Sequence, residues 1–294
     1  MIHTLCVRIP NRTSTIRPWV RPVGIATASL IAVGMALLAP TGSARADIHD
    51  GLVVHLSFDG DVVDHTGRGN DGTIVRAGTD SPYVAGIIGM AYQTQGTVPI
   101  PEYPTGNYIT LGKPDDLIFG TSSDFSLSWW GQFTADAQHG GPVWLANKDA
   151  NNDANRGWLL ESQPNGMLKW LYRERGQSST GSNTVGTLTG SLNDGQWHHY
   201  VVTFARGPGG TGTIYLDGDA VDTTPINSDS TLGDISFVFP TNILQDGVGT
   251  YSNIADDRFD KAAIDDLGIW RRAITPDEVT QIYTMGLKGK SALD

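Results

Sequence analysis

Cysteine is almost absent from this chain. Of its 294 residues only Cys6 is a cysteine, and it lies in an N-terminal segment that we expect to be removed. A disulfide framework is therefore excluded for the rest of the chain. Its stability has to come from packing, hydrogen bonds and a bound ion, if one is present.

Acidic residues are missing from residues 1–46, which carry arginine instead, at Arg8, Arg12, Arg17, Arg21 and Arg45. An apolar stretch over residues 23–38 is short for a membrane span, and Ala44-Arg45-Ala46 follows it. This order predicts a secretory signal peptide over residues 1–46 that is cleaved after Ala46. The alternative is an uncleaved N-terminal anchor. Cleavage would leave residues 47–294 without a membrane span, in a secreted, periplasmic or cell-surface protein.

Basic residues are scarce in the predicted mature chain. The whole chain has 20 Lys and Arg against 31 Asp and Glu, and losing five arginines leaves 15 basic residues, a net charge of about −16. Binding to nucleic acid or to anionic membranes needs clustered Lys and Arg, so we expect neither partner. The acidic excess fits a protein that holds a hard cation, and it also fits a simple requirement for solubility.

Helical periodicity is rare until the end of the chain. Glycine is frequent, with 36 residues, and short apolar runs alternate with turn signals. This pattern predicts one all-β domain over residues 47–294. In the clearest strand Phe125, Leu127, Trp129 and Phe133 share one face and Trp130 lies on the other.

A short helix is predicted at the C-terminal end. Thr275 is a suitable N-cap, Pro276 fits the first helical position, and Glu278 completes a capping box. Val279 and Ile282 then begin an apolar stripe that would pack on the sandwich.

The segment from Asp59 to Thr73 is rich in oxygen ligands and in glycine. Its donors are Asp59, Asp61, Asp64, Asn70 and Asp71. Ca²⁺ takes six to eight oxygen ligands with flexible geometry, so the segment suits this ion if other residues help. The alternative is a set of Asx turns, in which these side chains bond to their own backbone.

Several segments together carry a family resemblance. In order they are Asp64-His65-Thr66-Gly67-Arg68-Gly69-Asn70-Asp71-Gly72-Thr73, Trp197-His198-His199, Ile214-Tyr215-Leu216-Asp217-Gly218 and Ile264-Asp265-Asp266-Leu267-Gly268-Ile269-Trp270. The chain resembles the laminin-G-like, pentraxin-like jelly rolls of the concanavalin A-like lectin/glucanase superfamily. The resemblance implies a concanavalin A-like antiparallel β-sandwich (jelly roll), a structural calcium near the sheet edge, and binding of glycans or proteins.

The resemblance also implies that an acidic residue of the last strand completes the calcium site. Asp265 and Asp266 are the two choices, and regular strand alternation lets only one of them face inward. We expect Asp59, Asp64, Asn70 and Asp265 to be the side-chain ligands.

Catalytic patterns are weak. His198 and His199 are adjacent on a strand, so they point to opposite faces and cannot chelate one metal together. Glycoside hydrolysis needs two carboxylates across the scissile bond, and no such pair is evident. The residue pattern of alginate-lyase-type sandwiches is also not found. A polysaccharide-degrading enzyme, either a glycoside hydrolase or a lyase, is the alternative to a binding module.

A binding surface is the favoured hypothesis. Sugar rings stack on exposed aromatic side chains, and we expect Trp130, Tyr172 and Arg173 to contact the ligand. The alternative is that loops cover both faces of the sandwich. The sequence thus predicts a secreted, non-catalytic module whose partner is a polysaccharide, another glycan or an extracellular protein. An adhesive or structural role at the cell surface is also compatible with the sequence.

Overall fold

The computed structural model describes residues 47–75, 80–94, 107–133, 142–149, 156–162, 168–173, 183–187, 192–225, 240–245 and 262–294. The strands are β1 (Leu52–Leu56), β2 (Thr73–Val75), β3 (Tyr83–Ala85), β4 (Met90–Gln93), β5 (Tyr108–Thr110), β6 (Phe125–Gln132), β7 (Val143–Asp149), β8 (Arg156–Ser162), β9 (Leu168–Arg173), β10 (Asn183–Thr187), β11 (His198–Ala205), β12 (Thr211–Leu216), β13 (Asp219–Pro225), β14 (Asn242–Ile243) and β15 (Ala263–Trp270). A 3-10 turn spans Asp115–Leu117, and helix α1 spans Pro276–Gly286.

The strands form two sheets. The first has the order β13-β12-β11-β6-β15-β4-β3, with β1 also paired to β15, and the second has the order β10-β9-β8-β7-β14-β5-β2. The strand pairs described are antiparallel. The predicted all-β antiparallel sandwich with a short C-terminal helix is therefore confirmed.

The main core lies between the two sheets and is rich in aromatic side chains. Phe125, Leu127 and Trp129 of β6 point into it, as strand alternation predicts. Trp129 stacks on Tyr200 of the neighbouring β11 with ring centroids 5.3 Å apart, and Phe125 stacks on Phe204 at 5.0 Å. Buried rings of this size supply much of the apolar area that stabilises the fold.

The other face of the first sheet is also covered. A second apolar cluster joins this face to α1, to the turn at the start of the described domain, and to the last residues. Its members are Ile48, Val201, Tyr215, Trp270, Ile274, Val279, Ile282 and Leu293. The first sheet is thus buried on both faces where α1 packs on it.

The predicted capping box at the start of α1 is confirmed. The Thr275 hydroxyl accepts the Glu278 N–H at 3.3 Å, and the Glu278 carboxylate accepts the Thr275 N–H at 2.7 Å. The same carboxylate accepts two hydrogen bonds from the Arg272 guanidinium, at 2.6 and 2.9 Å. Local capping and an ion pair therefore fix where the helix begins.

The predicted signal peptide, residues 1–46, lies outside the described residues. Across the ranges given above, no helix is long and apolar enough to span a membrane.

Candidate functional site

The acidic pair Asp265-Asp266 lies where β15 changes its neighbour. Ala263 and Ile264 pair with β4, whereas the residues from Leu267 onwards pair with β1. The pairing with β6 shifts register between Asp265 and Gly268, and Asp266 has a φ of 46°, in the left-handed region. This irregularity breaks strand alternation. Both carboxylates are buried, as are the other residues of β15.

Asp265 points toward the turn between β3 and β4. Its Oδ2 accepts the Ile88 N–H at 2.9 Å, whereas its Oδ1 is buried and has no hydrogen-bond partner among the described residues. Burial raises the pKa of Asp265 to about 8, and the nearby charges of Asp266 and Asp59 add to this effect. An unpartnered buried carboxylate oxygen has a large desolvation cost, which a bound cation would offset.

Asp59, in the loop just after β1, contacts the same turn. Its Oδ1 accepts the Met90 N–H at 2.6 Å. The turn carries glycine at Gly86 and Gly89 because a Cβ atom would collide with Asp265 at the first position and with Asp59 at the second. The structure therefore brings Asp59 and Asp265 together around one tight turn.

Asp64 and Asn70 have different tasks. The Asp64 carboxylate accepts the N–H groups of His55, Thr66 and Asn70 and the Thr66 hydroxyl. Burial alone raises the pKa of Asp64, but these hydrogen bonds outweigh it and hold the pKa below the usual range. The side-chain nitrogen of Asn70 donates to the Val53 carbonyl and to Asp116, at 2.7 and 3.0 Å.

The predicted ligand set thus separates into two pairs. Asp64 and Asn70 fasten their loop to β1, whereas Asp59 and Asp265 surround the turn between β3 and β4. Among the described residues no three His, Cys, Asp or Glu side chains converge as metal ligands. A calcium ion at Asp59 and Asp265 would therefore need backbone carbonyls and water as further ligands.

The predicted aromatic ligand contacts are not at the surface. Trp130 is 1% exposed, because Tyr283 of α1 stacks on its indole at 5.7 Å and Gly286 lies against it. Tyr172 is 3% exposed and packs against Phe204 in the main core. Stacking of a sugar on an open face is therefore not available at either ring. Arg173 ends β9, and its side chain lies outside the described residues.

The two adjacent histidines lie in contrasting environments. His198 bonds to Asp217 at 2.8 Å, and this hydrogen bond raises the pKa of His198. His199 is fully buried, bonds to the Ser128 hydroxyl at 2.9 Å, and contacts the rings of both Trp130 and Tyr283. Burial lowers the pKa of His199 to about 4. Each histidine thus has its own set of structural contacts, as expected for adjacent residues that point to opposite faces of a strand.

One buried polar contact is not evident from the sequence pattern. His55 Nε2 lies 2.9 Å from Asp266 Oδ1, and Ser291 donates to the same oxygen at 2.8 Å. Only the presence of a histidine within the apolar run of β1 could have indicated it. The contact ties the first strand, the last strand and the C-terminal residues together.

The comparison with protein families gives one match. A laminin-G family model described as "Concanavalin A-like lectin/glucanases superfamily" matches residues 104–280. A search of curated protein sequences found no relative of this chain.

Solved structures similar to this chain have low sequence identity to it and include a toxin binding domain. The binding domain of Paraclostridial Mosquitocidal Protein 1 has a TM-score of 0.57 and 19% identity, over 80% of this chain and 52% of that one. A structure of botulinum neurotoxin type C, a toxin whose cell entry depends on interaction with two ganglioside molecules, has a TM-score of 0.56 and 13% identity, over 82% of this chain and 52% of that one. This chain spans about half the length of both.

A third similar structure matches over almost its whole length. Domain 4 of AbnA, a GH43 extracellular arabinanase from Geobacillus stearothermophilus, was solved with arabinotriose. It has a TM-score of 0.51 and 23% identity, over 78% of this chain and 97% of that domain. At these identities the three structures show a shared fold.

Proposed function

Because this chain belongs to the concanavalin A-like lectin/glucanase superfamily, we propose that it is an exported, non-catalytic module that binds a glycan or a protein and holds a structural calcium ion. One observation carries the binding function. The similar structures that cover about four fifths of this chain include a toxin binding domain and an arabinanase domain solved in complex with arabinotriose. Export rests on residues 1–46, with cleavage after Ala46.

Calcium binding is supported by the chemistry around the β3–β4 turn. Asp265 has a buried Oδ1 without a partner, and Asp59 faces the same turn. Burial raises the pKa of Asp265, the charges of Asp266 and Asp59 add to this effect, and a divalent cation beside the carboxylates would stabilise their charged form. The domain contains no cysteine, so the ion would link β1 to β15 in the absence of a disulfide.

Ligand binding is tested by glycan-array screening of the exported protein. We expect binding to one glycan class, weakened at least tenfold by Arg173→Ala and unchanged by Lys288→Ala, an exposed position after α1. Arg173 is chosen because the other two predicted ligand contacts, Trp130 and Tyr172, are buried. Binding unaffected by Arg173→Ala would remove this residue from the site.

A polysaccharide panel separates binding from catalysis. A binding module releases no reducing ends and no unsaturated products from a polysaccharide that it retains. Product release that depends on the folded protein would overturn the non-catalytic proposal in favour of a glycoside hydrolase or a lyase.

A further inference from the structure

The first three residues after the proposed cleavage site are Asp47, Ile48 and His49. A free amine at the first position and a histidine at the third provide four nitrogen donors: the amine, the amide nitrogens of Ile48 and His49, and His49 Nδ1. Four nitrogens in one plane suit Cu²⁺ and Ni²⁺. We propose that the mature N terminus binds one Cu²⁺ or Ni²⁺ ion through these atoms. The proposal rests on cleavage after Ala46, which creates the amine.

Two of the four donors, the amide nitrogen and Nδ1 of His49, already face the same atom, Asp47 Oδ1. The His49 N–H lies 3.0 Å from Asp47 Oδ1, and His49 Nδ1 lies 2.8 Å from the same oxygen. The imidazole is therefore folded back over its own amide, as the chelate ring requires. The side chains of His49 and Asp47 are 49% and 66% exposed, so an ion can reach this point and the carboxylate can turn away from it.

The two peptide groups that must lose a proton have hydrogen-bond donors on their carbonyl oxygens. Trp270 Nε1 donates to the Ile48 carbonyl at 2.6 Å, and Arg272 Nη2 donates to the Asp47 carbonyl at 3.0 Å. A deprotonated amide places part of its negative charge on oxygen, so an indole N–H and a guanidinium there stabilise it. Among the described contacts, none occupies the Ile48 N–H.

The same contacts hold the peptide planes in place before the ion arrives. The Ile48 side chain is 5% exposed and packs in the cluster beneath α1, and the Asp50 N–H donates to the Asp47 carbonyl at 2.9 Å. A flexible N-terminal tripeptide has to be ordered by its metal, whereas this one is already part of a turn.

Binding releases protons, and the geometry of the four nitrogens determines which metal is bound. The N-terminal ammonium group and two amide N–H groups each release one proton to solvent, and the imidazole binds in its neutral form. Cu²⁺ binds more strongly than Ni²⁺ to a given nitrogen site, and both accept a square plane. Zn²⁺ prefers a tetrahedral set and is not expected to displace these amide protons.

The test uses the full precursor, expressed in a secreting host and purified from the exported fraction. The intact mass should correspond to a chain that begins at Asp47. Titration with CuCl₂, followed by visible absorption and electron paramagnetic resonance, should show one Cu²⁺ per chain with four nitrogen ligands in a plane. ZnCl₂ in equal amount should not prevent this signal.

Two variants isolate the site. His49→Ala removes the imidazole, and a glycine inserted between Ala46 and Asp47 leaves the turn intact but moves the histidine to the fourth position. Each should lose the four-nitrogen signal. Their melting temperatures without metal should stay within a few degrees of the parent, because His49 and Asp47 are exposed.

Two results overturn the proposal, and they differ in cause. A mass that shows another N terminus means that the amine is not where the chelate needs it. A correct N terminus without the copper signal, or with a signal that survives either variant, means that these nitrogens do not form the site. Calcium and glycan binding are measured separately on the same samples, so failure of the copper site is distinct from failure of the proposed function.

Discussion

Asp59, just after β1, and Asp265, in β15, contact one turn although they are more than 200 positions apart in the chain. Asp59 accepts the Met90 N–H, and Asp265 accepts the Ile88 N–H two residues earlier. The turn between β3 and β4 is thereby fixed to both the first and the last strand. The unfavourable part of this arrangement is mainly the burial of the Asp265 carboxylate, with smaller contributions from the charges of Asp266 and Asp59, and a cation would offset it.

Calcium should stabilise the protein through Asp265. For the wild type, Ca²⁺ at 100 times its Kd is expected to add about 2.7 kcal/mol to the free energy of unfolding. Asp265→Asn should lose this increment, whereas Asp64→Asn should lower the melting temperature but keep the response to calcium. Differential scanning fluorimetry with EDTA and with CaCl₂ measures both effects. A calcium response lost in Asp64→Asn and kept in Asp265→Asn would reverse the assignment.

His199 should make the protein sensitive to acid. Its pKa is near 6.5 in the unfolded chain and about 4 in the buried site, so the unfolded state binds the proton first. The stability that this group contributes is complete above pH 6.5 and is lost as the pH falls toward 4, by roughly 3 kcal/mol. His199→Gln should show a shallower fall in unfolding free energy over that range, measured by urea denaturation. Equal slopes for both proteins would contradict the prediction.

His198 should titrate in the opposite direction from its neighbour. The hydrogen bond to Asp217 raises its pKa, so its stabilising effect is present below pH 6.5 and is lost as the pH rises through the raised value. In an NMR titration the His198 ring signals should have a midpoint above 6.5. Asp217→Asn should lower that midpoint. A midpoint that does not move would mean that Asp217 is not the cause.

Gly286 should be required for α1 to pack on the first sheet. A Cβ atom at this position would lie 2.5 Å from Trp130 Cζ2, far inside contact distance. Gly286→Ala is therefore expected to destabilise the protein by about 1–3 kcal/mol, although alanine favours helix. Thr284→Ala, at an exposed position of the same helix, is the control. Urea unfolding that shows Gly286→Ala to be at least as stable as the wild type would contradict this contact.

Glu278 should contribute more to the stability of the folded protein than an ordinary helix-capping residue does. It is 1% exposed and bonds to Arg272 and to the Thr275 N–H. Glu278→Gln leaves a partly buried guanidinium without its counter-charge, and we expect a loss of roughly 3 kcal/mol. Asp277→Asn, at the exposed neighbouring position, should cost far less. Thermal unfolding of the two variants measures the difference.

Local sequence patterns predicted several elements of the fold correctly. The period-two pattern of β6 places Phe125, Leu127 and Trp129 correctly, and the capping box predicts where α1 begins. The resemblance was needed to choose this sandwich among all-β folds, since alternation does not determine the order of strands in a sheet.

The site was harder to predict for two physical reasons. Trp130 was expected on an open face of β6, but Ser126 and Ser128 of that face bond to Ile274 and His199, and Tyr283 of α1 stacks on Trp130, which is buried. Asp265 and Asp266 were assigned to opposite faces of a regular strand. The change of strand partner at that point is a tertiary event, and no local pattern records it.

The pairing of β1 with β15 has a consequence for how the chain acquires its structure. The register joins Leu52 to Trp270, so the first strand has no described strand partner until almost the whole domain has been synthesised. Contacts of such long range slow folding, because loop closure precedes the stabilising interactions. The pairing of β1 therefore comes late in synthesis, and the export that we propose would use this delay, because a secretion channel takes an unfolded chain.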